Sequence, residues 1–119
     1  KRIHTGLGVS ENHLQHKLRM TKDQALEVGT RAVRYARQFT DDIEYFMEDS
    51  GRAEKDYVYQ VVESVIAAGA TTINVPDTTG YTYPEEYKAL MAGIRNKHAS
   101  PPRQSIDQQP EAEEWCRQP

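Results

Sequence analysis

The sequence is poor in three features that would direct it to particular classes of protein: cysteine, long apolar runs, and an excess of charge of one sign. Its one cysteine, Cys116, cannot form a disulfide within the chain, which is typical of a reducing, cytoplasmic compartment. No apolar run approaches the length of a membrane span or resembles a signal-peptide core. The net charge is -3 with both signs mixed, so we expect neither a nucleic-acid partner nor a membrane partner.

Composition divides the 119 residues into two parts. Residues 1–98 carry periodic apolar patterns and predict one domain with a modest core. Residues 99–119 are rich in Pro, Gln and Glu and offer almost nothing to bury, so they cannot offset the entropy lost on ordering. We therefore expect residues 99–119 to be a disordered tail.

Three β-branched or aromatic runs, each followed by a helical pattern, predict an α/β fold. The strands are expected to start near Ile3, Ile43 and Thr72. The helical patterns cover residues 25–36, which follow a capping box at Thr21, and then residues 58–66 and 84–94. Right-handed crossovers would make the strands parallel in one sheet. Three βα units are too few to close a barrel, so we expect an internal slice of a larger α/β protein.

Polar residues end the second predicted strand, at the edge where parallel α/β proteins bind ligands. Glu48 and Asp49 are followed by Arg52, and acids beside an arginine suit an anionic substrate or a proton transfer. A plain structural interpretation is equally open, because Asp49 and Ser50 can cap the helix that follows.

Polar residues also end the third predicted strand. Asp77 and Thr78 follow Pro76 at the same edge of the sheet, which makes them candidates for binding a ligand. The competing interpretation is an ordinary turn, since Pro, Asp and Gly are common turn residues.

Three histidines lie in the first sixteen residues. His4 is expected at the end of the first strand, just before a flexible loop that starts at Gly6, where a histidine is more often packed than a ligand. His13 and His16 could share one face of a helical turn, but two histidines without a third ligand make a poor metal site. We interpret residues 12–20 as a solvated segment.

Several stretches match a known family in the same order along the chain. They are Arg2-Ile-His-Thr5, His13-Leu-Gln-His-Lys-Leu-Arg19, Val33-Arg-Tyr-Ala-Arg37, Glu44-Tyr-Phe-Met-Glu-Asp-Ser-Gly-Arg52, Gly69-Ala-Thr-Thr-Ile-Asn-Val-Pro-Asp-Thr-Thr-Gly-Tyr81 and Pro84-Glu-Glu-Tyr87. With these stretches, residues 1–97 resemble the catalytic barrel of the α-isopropylmalate synthase family, which is related to the homocitrate and citramalate synthases. Residues 99–119 match no part of the pattern and suggest a truncation, a frameshift or a junction.

The resemblance implies a partial (β/α)8 TIM barrel of about three βα units. It also implies an acyltransferase of leucine biosynthesis that condenses acetyl-CoA with a 2-oxo acid such as 3-methyl-2-oxobutanoate. Members of the family use a divalent metal (Mg, Mn or Zn) and are homodimers. The Arg-Asp pair and the His-x-His that supply the metal ligands do not occur in this sequence, so we expect no metal ligands here and an inactive isolated chain.

The resemblance also assigns roles to individual residues. His4 matches the family's histidine that lines the oxo-acid pocket, and Glu48 matches the pocket glutamate, so both are catalytic candidates. Thr78 matches the threonine whose hydroxyl meets the substrate carboxylate. Arg52 and Asp77 are further substrate-binding candidates, although capping and turn formation explain them equally well.

The sequence departs from the family beside the pocket glutamate. Phe46-Met47 replaces the usual Ser-Pro, which removes a hydroxyl and adds bulk. This substitution leaves the oxo acid open, so homocitrate or citramalate synthesis is an alternative. A second alternative is a non-catalytic remnant that only binds an intact homologue.

Overall fold

One parallel sheet organises the chain. In the computed structural model, which describes residues 1–97 and the backbone of residues 105–107, the strands lie in the order β1-β2-β3-β4. They are β1 (Arg2–Gly8), β2 (Asp42–Glu48), β3 (Thr72–Asn74) and β4 (Ser105–Asp107). The helices are α1 (Lys22–Ala36), α2 (Lys55–Ala68) and α3 (Pro84–Lys97), with a π-helical turn at His13–Leu18 and a 3-10 turn at Ser50–Arg52. The predicted α/β fold of three consecutive βα units, forming part of a TIM barrel, is confirmed.

Strand β1 is longer than predicted. We expected a flexible loop from Gly6, but the strand continues to Gly8 and pairs in parallel with β2 as far as Glu48. The low strand propensity of glycine is overridden by this pairing. At Gly6 only a glycine fits, because a Cβ there would lie 2.0 Å from the carbonyl oxygen of Phe46. His4 is consequently a mid-strand residue, and its predicted position at a strand end is wrong.

Strand β2 alternates between two environments. Ile43, Tyr45 and Met47 are buried in the core that the sheet shares with the helices. The residues that alternate with them are half-buried on the opposite face, which we call the polar side of the sheet. They include Glu44, Phe46 and Glu48. Because successive side chains of a strand point to opposite faces, the period of two separates core residues from candidate functional residues.

Three helix ends have the residues that their sequences suggest. The Thr21 hydroxyl accepts the Gln24 amide while the Gln24 side chain accepts the Thr21 amide, so the capping box forms at the start of α1. Gly69 closes α2 with a φ of 121°, a conformation that side chains rarely adopt. Helix α3 starts at Pro84, with the Glu86 carboxylate accepting the Tyr83 amide.

The core lies between the sheet and its helices. Its large, fully buried members come from α1, β2, α2, β3 and α3, and include Val33, Ile43, Met47, Val58, Val62, Val65, Ile73 and Ile94. The valine stripe predicted for α2 is therefore core. No helix within the described ranges combines the length and the apolar character needed to cross a bilayer.

Strand β4 lies within the stretch predicted to be disordered. The backbone of Ser105–Asp107 pairs in parallel with Thr72–Asn74, so the prediction of disorder is wrong for these three residues. The reason is that an edge strand gains its order from backbone hydrogen bonds to β3, which composition does not record. The rest of the predicted tail lies outside the described residues.

We expect Gly29→Ala to destabilise the chain. A Cβ at Gly29 would lie 2.2 Å from the hydroxyl oxygen of Tyr45 and 3.1 Å from its Cζ, and Tyr45 is buried. Overpacking costs about 1–3 kcal/mol and the gain in helix propensity is about 1 kcal/mol, so we expect a net loss of up to about 2 kcal/mol in urea unfolding. Adding Tyr45→Phe removes the nearest atom and should recover most of that loss. A double variant as unstable as Gly29→Ala would contradict this contact as the cause.

Candidate functional site

The carboxylate of Glu48 lies at the C-terminal end of β2, on the polar side. Lys17 donates from Nζ to its Oε2 at 2.6 Å, and the His13 Nδ1 is 3.7 Å from the same oxygen. The backbone carbonyl of Glu48 accepts the Val9 amide at 3.0 Å, which joins the ends of β1 and β2. The first turn after β1 therefore lies directly over the end of β2.

Asp49 forms a buried ion pair immediately behind Glu48. Its side chain is fully buried, and Arg52 donates to it from Nε at 2.9 Å and from a terminal nitrogen at 2.6 Å. The His13 Nε2 is 3.8 Å from the Asp49 carboxylate. Asp49 does not cap α2, whose N-cap is Glu54, so the capping interpretation of Asp49 is not what the structure shows.

The pKa of Asp49 is set by opposing effects. Burial raises the pKa of this carboxyl, but hydrogen bonds from Arg52 and Ser10 and the charge of Arg52 outweigh burial. The net result is a pKa below the ordinary value, so Asp49 is ionised in the folded chain at neutral pH. In return the Asp49 carboxylate raises the pKa of Arg52, chiefly through their hydrogen bond.

Thr78 connects the loop after β3 to the end of β2. Its Oγ1 accepts the backbone amide of Asp49 at 2.9 Å, and Asp49 has a left-handed backbone with a φ of 63°. Because this oxygen accepts the amide hydrogen, the hydroxyl proton of Thr78 is free to point elsewhere. Thr78 is exposed, so that proton is accessible from solvent.

Asp77 stabilises the loop between β3 and α3. Its carboxylate accepts the backbone amides of Tyr81 at 3.2 Å and Thr82 at 3.1 Å, and the Thr82 hydroxyl at 2.6 Å. The Gly80 amide also donates to the Asp77 carbonyl at 3.1 Å, which closes a β-turn, as the turn interpretation predicted. Ser50 donates from its hydroxyl to the Pro76 carbonyl at 2.5 Å, so the two loops are joined a second time.

His4 also lies on the polar side, but further from the C-terminal edge of the sheet than Glu48. It pairs in register with Glu44, with its Nε2 3.9 Å from Oε1 of Glu44, and its ring packs edge-on against Phe46. Glu44 also accepts from Asn74 at 2.9 Å and from Arg2 at 3.3 Å.

The structure therefore brings together only some of the predicted site residues. Glu48, Arg52, Asp77 and Thr78 gather at the C-terminal edge of the sheet. His4 is level with Glu44 rather than with Glu48, which is four residues further along the strand direction, about 13 Å at 3.3 Å per residue.

The two residues that replace Ser-Pro point to opposite faces of the sheet. Phe46 shares the polar side with Glu48, whereas Met47 is fully buried in the core. Any added bulk near the site therefore comes from Phe46 alone.

Comparison with known proteins places this site in a family. Residues 1–106 match the model of the family described as HMGL-like. The chain belongs to this family. It is 50% identical over 95 residues to the 2-isopropylmalate synthase of Crocosphaera subtropica, and 54% identical over 96 residues to that of Ralstonia nicotianae. These alignments cover 80% and 81% of this chain, but only 18% and 19% of those relatives.

The resemblance inferred from the sequence motifs is thus confirmed. The family match continues to residue 106, beyond residue 97 where the motif resemblance ended. It includes the first two residues of β4, which agrees with the observed pairing of that strand with β3. The chain spans less than a fifth of the length of the relatives named above.

Within residues 1–97, where side chains are described, no group of three or more His, Cys, Asp and Glu side chains is arranged to hold an ion. The two carboxylates beside His13, those of Glu48 and Asp49, are already engaged by Lys17 and Arg52. We accordingly assign no chemical step to a metal bound by this part of the chain.

Sequence reasoning missed three residues at this edge: Ser10, His13 and Lys17. The segment interpreted as solvated instead forms the π-helical turn, with the Ser10 hydroxyl accepting the His13 amide at 3.2 Å. Gly8 makes room for it, since a Cβ there would lie 2.5 Å from the His13 Nδ1. A serine three residues before His13 is a recognisable signal for the start of a helical turn. The contact with β2 is not visible in the sequence.

We expect Asp49 to make stability depend on pH. A folded-state pKa below the unfolded value stabilises the chain fully above the unfolded pKa, and this stabilisation is lost as the pH falls through the folded pKa. In urea unfolding at pH 7, Asp49→Asn should cost about 2–3 kcal/mol, because it weakens charge-assisted bonds to Arg52. The difference from the wild-type chain should shrink at pH 3.

The control is Asp41→Asn, which changes a carboxylate that is 99% exposed and should leave stability nearly unchanged at both pH values. An Asp49→Asn penalty of the same size at pH 7 and pH 3 would show that the buried charge is not what stabilises the site.

Proposed function

We propose that this chain is part of an acyltransferase of the 2-isopropylmalate synthase type. The proposed reaction condenses acetyl-CoA with 3-methyl-2-oxobutanoate in leucine biosynthesis, with both substrates as small-molecule partners, in the cytoplasm. The observation that carries the proposal is the polar edge of the sheet, where Glu48 and Thr78 are joined through Asp49 within the residues that match the family model. Ligands of parallel α/β proteins bind at this edge.

The reaction requires a base and a means to stabilise charge. A methyl group next to a thioester is weakly acidic, so its deprotonation needs a positioned acceptor, and the alkoxide formed at the keto carbon needs donors. Hydrolysis of the thioester afterwards drives the reaction forward. In this proposal Glu48 positions the substrate or relays a proton, and the free hydroxyl proton of Thr78 binds the substrate carboxylate.

The other candidate residues have supporting parts in this proposal. Arg52 and Asp77 shape the edge, since Arg52 neutralises the buried Asp49 and Asp77 holds the loop that carries Thr78. His4 packs edge-on against Phe46 and so limits where the Phe46 ring can lie. In this proposal the bulk of Phe46 affects which 2-oxo acid binds.

We expect a chimaera to show the activity. Residues 1–97 would replace the aligned segment of the Ralstonia nicotianae relative, to which this chain is 54% identical over 96 residues. Release of the CoA thiol from acetyl-CoA and 3-methyl-2-oxobutanoate is measured. Glu48→Gln should lower kcat/KM by roughly 10²-fold, the size typical of a lost general acid–base group.

Glu54→Gln is the matched control, because Glu54 is an exposed glutamate whose ion-pair partner is Lys22 rather than a residue of the candidate site. It should leave the chimaera unchanged. A folded chimaera that uses a different 2-oxo acid would overturn the substrate assignment, and full activity of Glu48→Gln would overturn the role of Glu48.

We also propose that the 119-residue chain does not catalyse the reaction alone. The sequence contains no His-x-His, and side chains within residues 1–97 offer no set of metal ligands. With folding first established by circular dichroism, we expect calorimetric titration with Mg²⁺ and 3-methyl-2-oxobutanoate to show no tight binding of the ion, and no thiol release on adding acetyl-CoA. Turnover by the isolated chain would contradict this.

A further inference from the structure

We propose that Lys17, with His13, is a positioning residue for the Glu48 carboxylate. The inference rests on the proposed function in one respect, namely that Glu48 acts on the substrate. Both residues lie on the π-helical turn His13–Leu18, which follows β1 and had no function in the sequence analysis. Single π-helical turns occur frequently at functional sites.

The contacts converge on one oxygen atom. Lys17 Nζ is 2.6 Å from Oε2 of Glu48, and His13 Nδ1 is 3.7 Å from that same oxygen. The His13 Nδ1 is buried and has no hydrogen-bond partner among the described residues. Buried polar atoms are usually hydrogen-bonded, so we expect this nitrogen to form a hydrogen bond with the Glu48 carboxylate when that carboxylate moves slightly towards it. Lys17 and His13 therefore restrict where the Glu48 carboxylate can lie.

His13 is itself held in place from behind. Its Nε2 is 3.8 Å from the buried carboxylate of Asp49, which Arg52 fixes through three hydrogen bonds. The absence of a side chain at Gly8 lets the imidazole ring lie over the end of β1. His13 is thus held between the Glu48 carboxylate and the Asp49–Arg52 ion pair.

Stability does not explain the Lys17 pair. The Lys17 side chain is 55% exposed and that of Glu48 is 28% exposed, and ion pairs of this kind contribute little to folding because water screens them. The Lys17–Glu48 pair can orient a functional carboxylate even though it contributes little to folding. Catalytic groups need such supporting contacts to hold a productive geometry.

The first test measures the orientation of Glu48 in the full 119-residue chain by NMR, without any ligand. Three-bond couplings to the Glu48 Cγ report its χ1 rotamer. We expect a single rotamer and a Lys17–Glu48 proton cross peak in the wild-type chain. Lys17→Met and Lys17→Gln should average the couplings, whereas Lys17→Arg should restore the single rotamer, and His13→Gln should average them in part.

Lys22→Met is the matched control, since it removes a lysine from another Lys–Glu pair, with Glu54, and should leave the Glu48 couplings unchanged. Unchanged couplings in both Lys17→Met and Lys17→Gln, with backbone spectra that show a folded chain, would overturn the proposal. An averaged rotamer in the wild-type chain would overturn it as well.

The second test uses the chimaera described above. Lys17→Met should lower kcat/KM at least tenfold, and Lys17→Arg should regain most of it, with Lys22→Met unchanged. Full activity of Lys17→Met would show that the orientation does not matter for the reaction. If Glu48→Gln is also fully active, the proposed role of Glu48 fails instead, and the NMR couplings still decide whether Lys17 positions this side chain.

Discussion

The buried carboxylate of Asp49 is the interaction on which the candidate site depends. A charge that is fully removed from water must be neutralised and hydrogen-bonded, and Arg52 and Ser10 meet that requirement from two different segments. The same residue donates its backbone amide to Thr78. Through its ionised side chain and its backbone amide, Asp49 therefore joins the turn after β1, the end of β2 and the loop after β3.

The alternation of β2 is the second constraint. Because side chains of a strand point alternately to its two faces, Tyr45 and Met47 complete the core while Glu44 and Glu48 stay on the polar side. The register with β1 and β3 then creates two layers there. Glu44 contacts His4 and Asn74 further back along the strands, and Glu48 lies at the C-terminal edge, where parallel sheets bind their ligands.

Most of the architecture was predictable from local patterns. The capping box at Thr21, the valine stripe of α2 and the β-branched run at Thr72 each define an element through a few neighbouring residues, and the structure has all three. Two predictions failed where ordering came from pairing rather than from composition. These were the loop at Gly6, which is strand, and the tail, part of which is β4.

The candidate site was predictable only in part. Glu48 and Asp49 could be recognised because they lie where a predicted strand ends, and Thr78 because it lies in the loop after the next strand. The approach of Lys17 and His13 to Glu48 depends on contacts across more than thirty residues, and no local pattern encodes such contacts. The order of the βα units and the face of each strand were thus settled by hydrophobic period and turn chemistry, which are local. Which side chains meet at the edge was decided by the packing of one loop against the next strand.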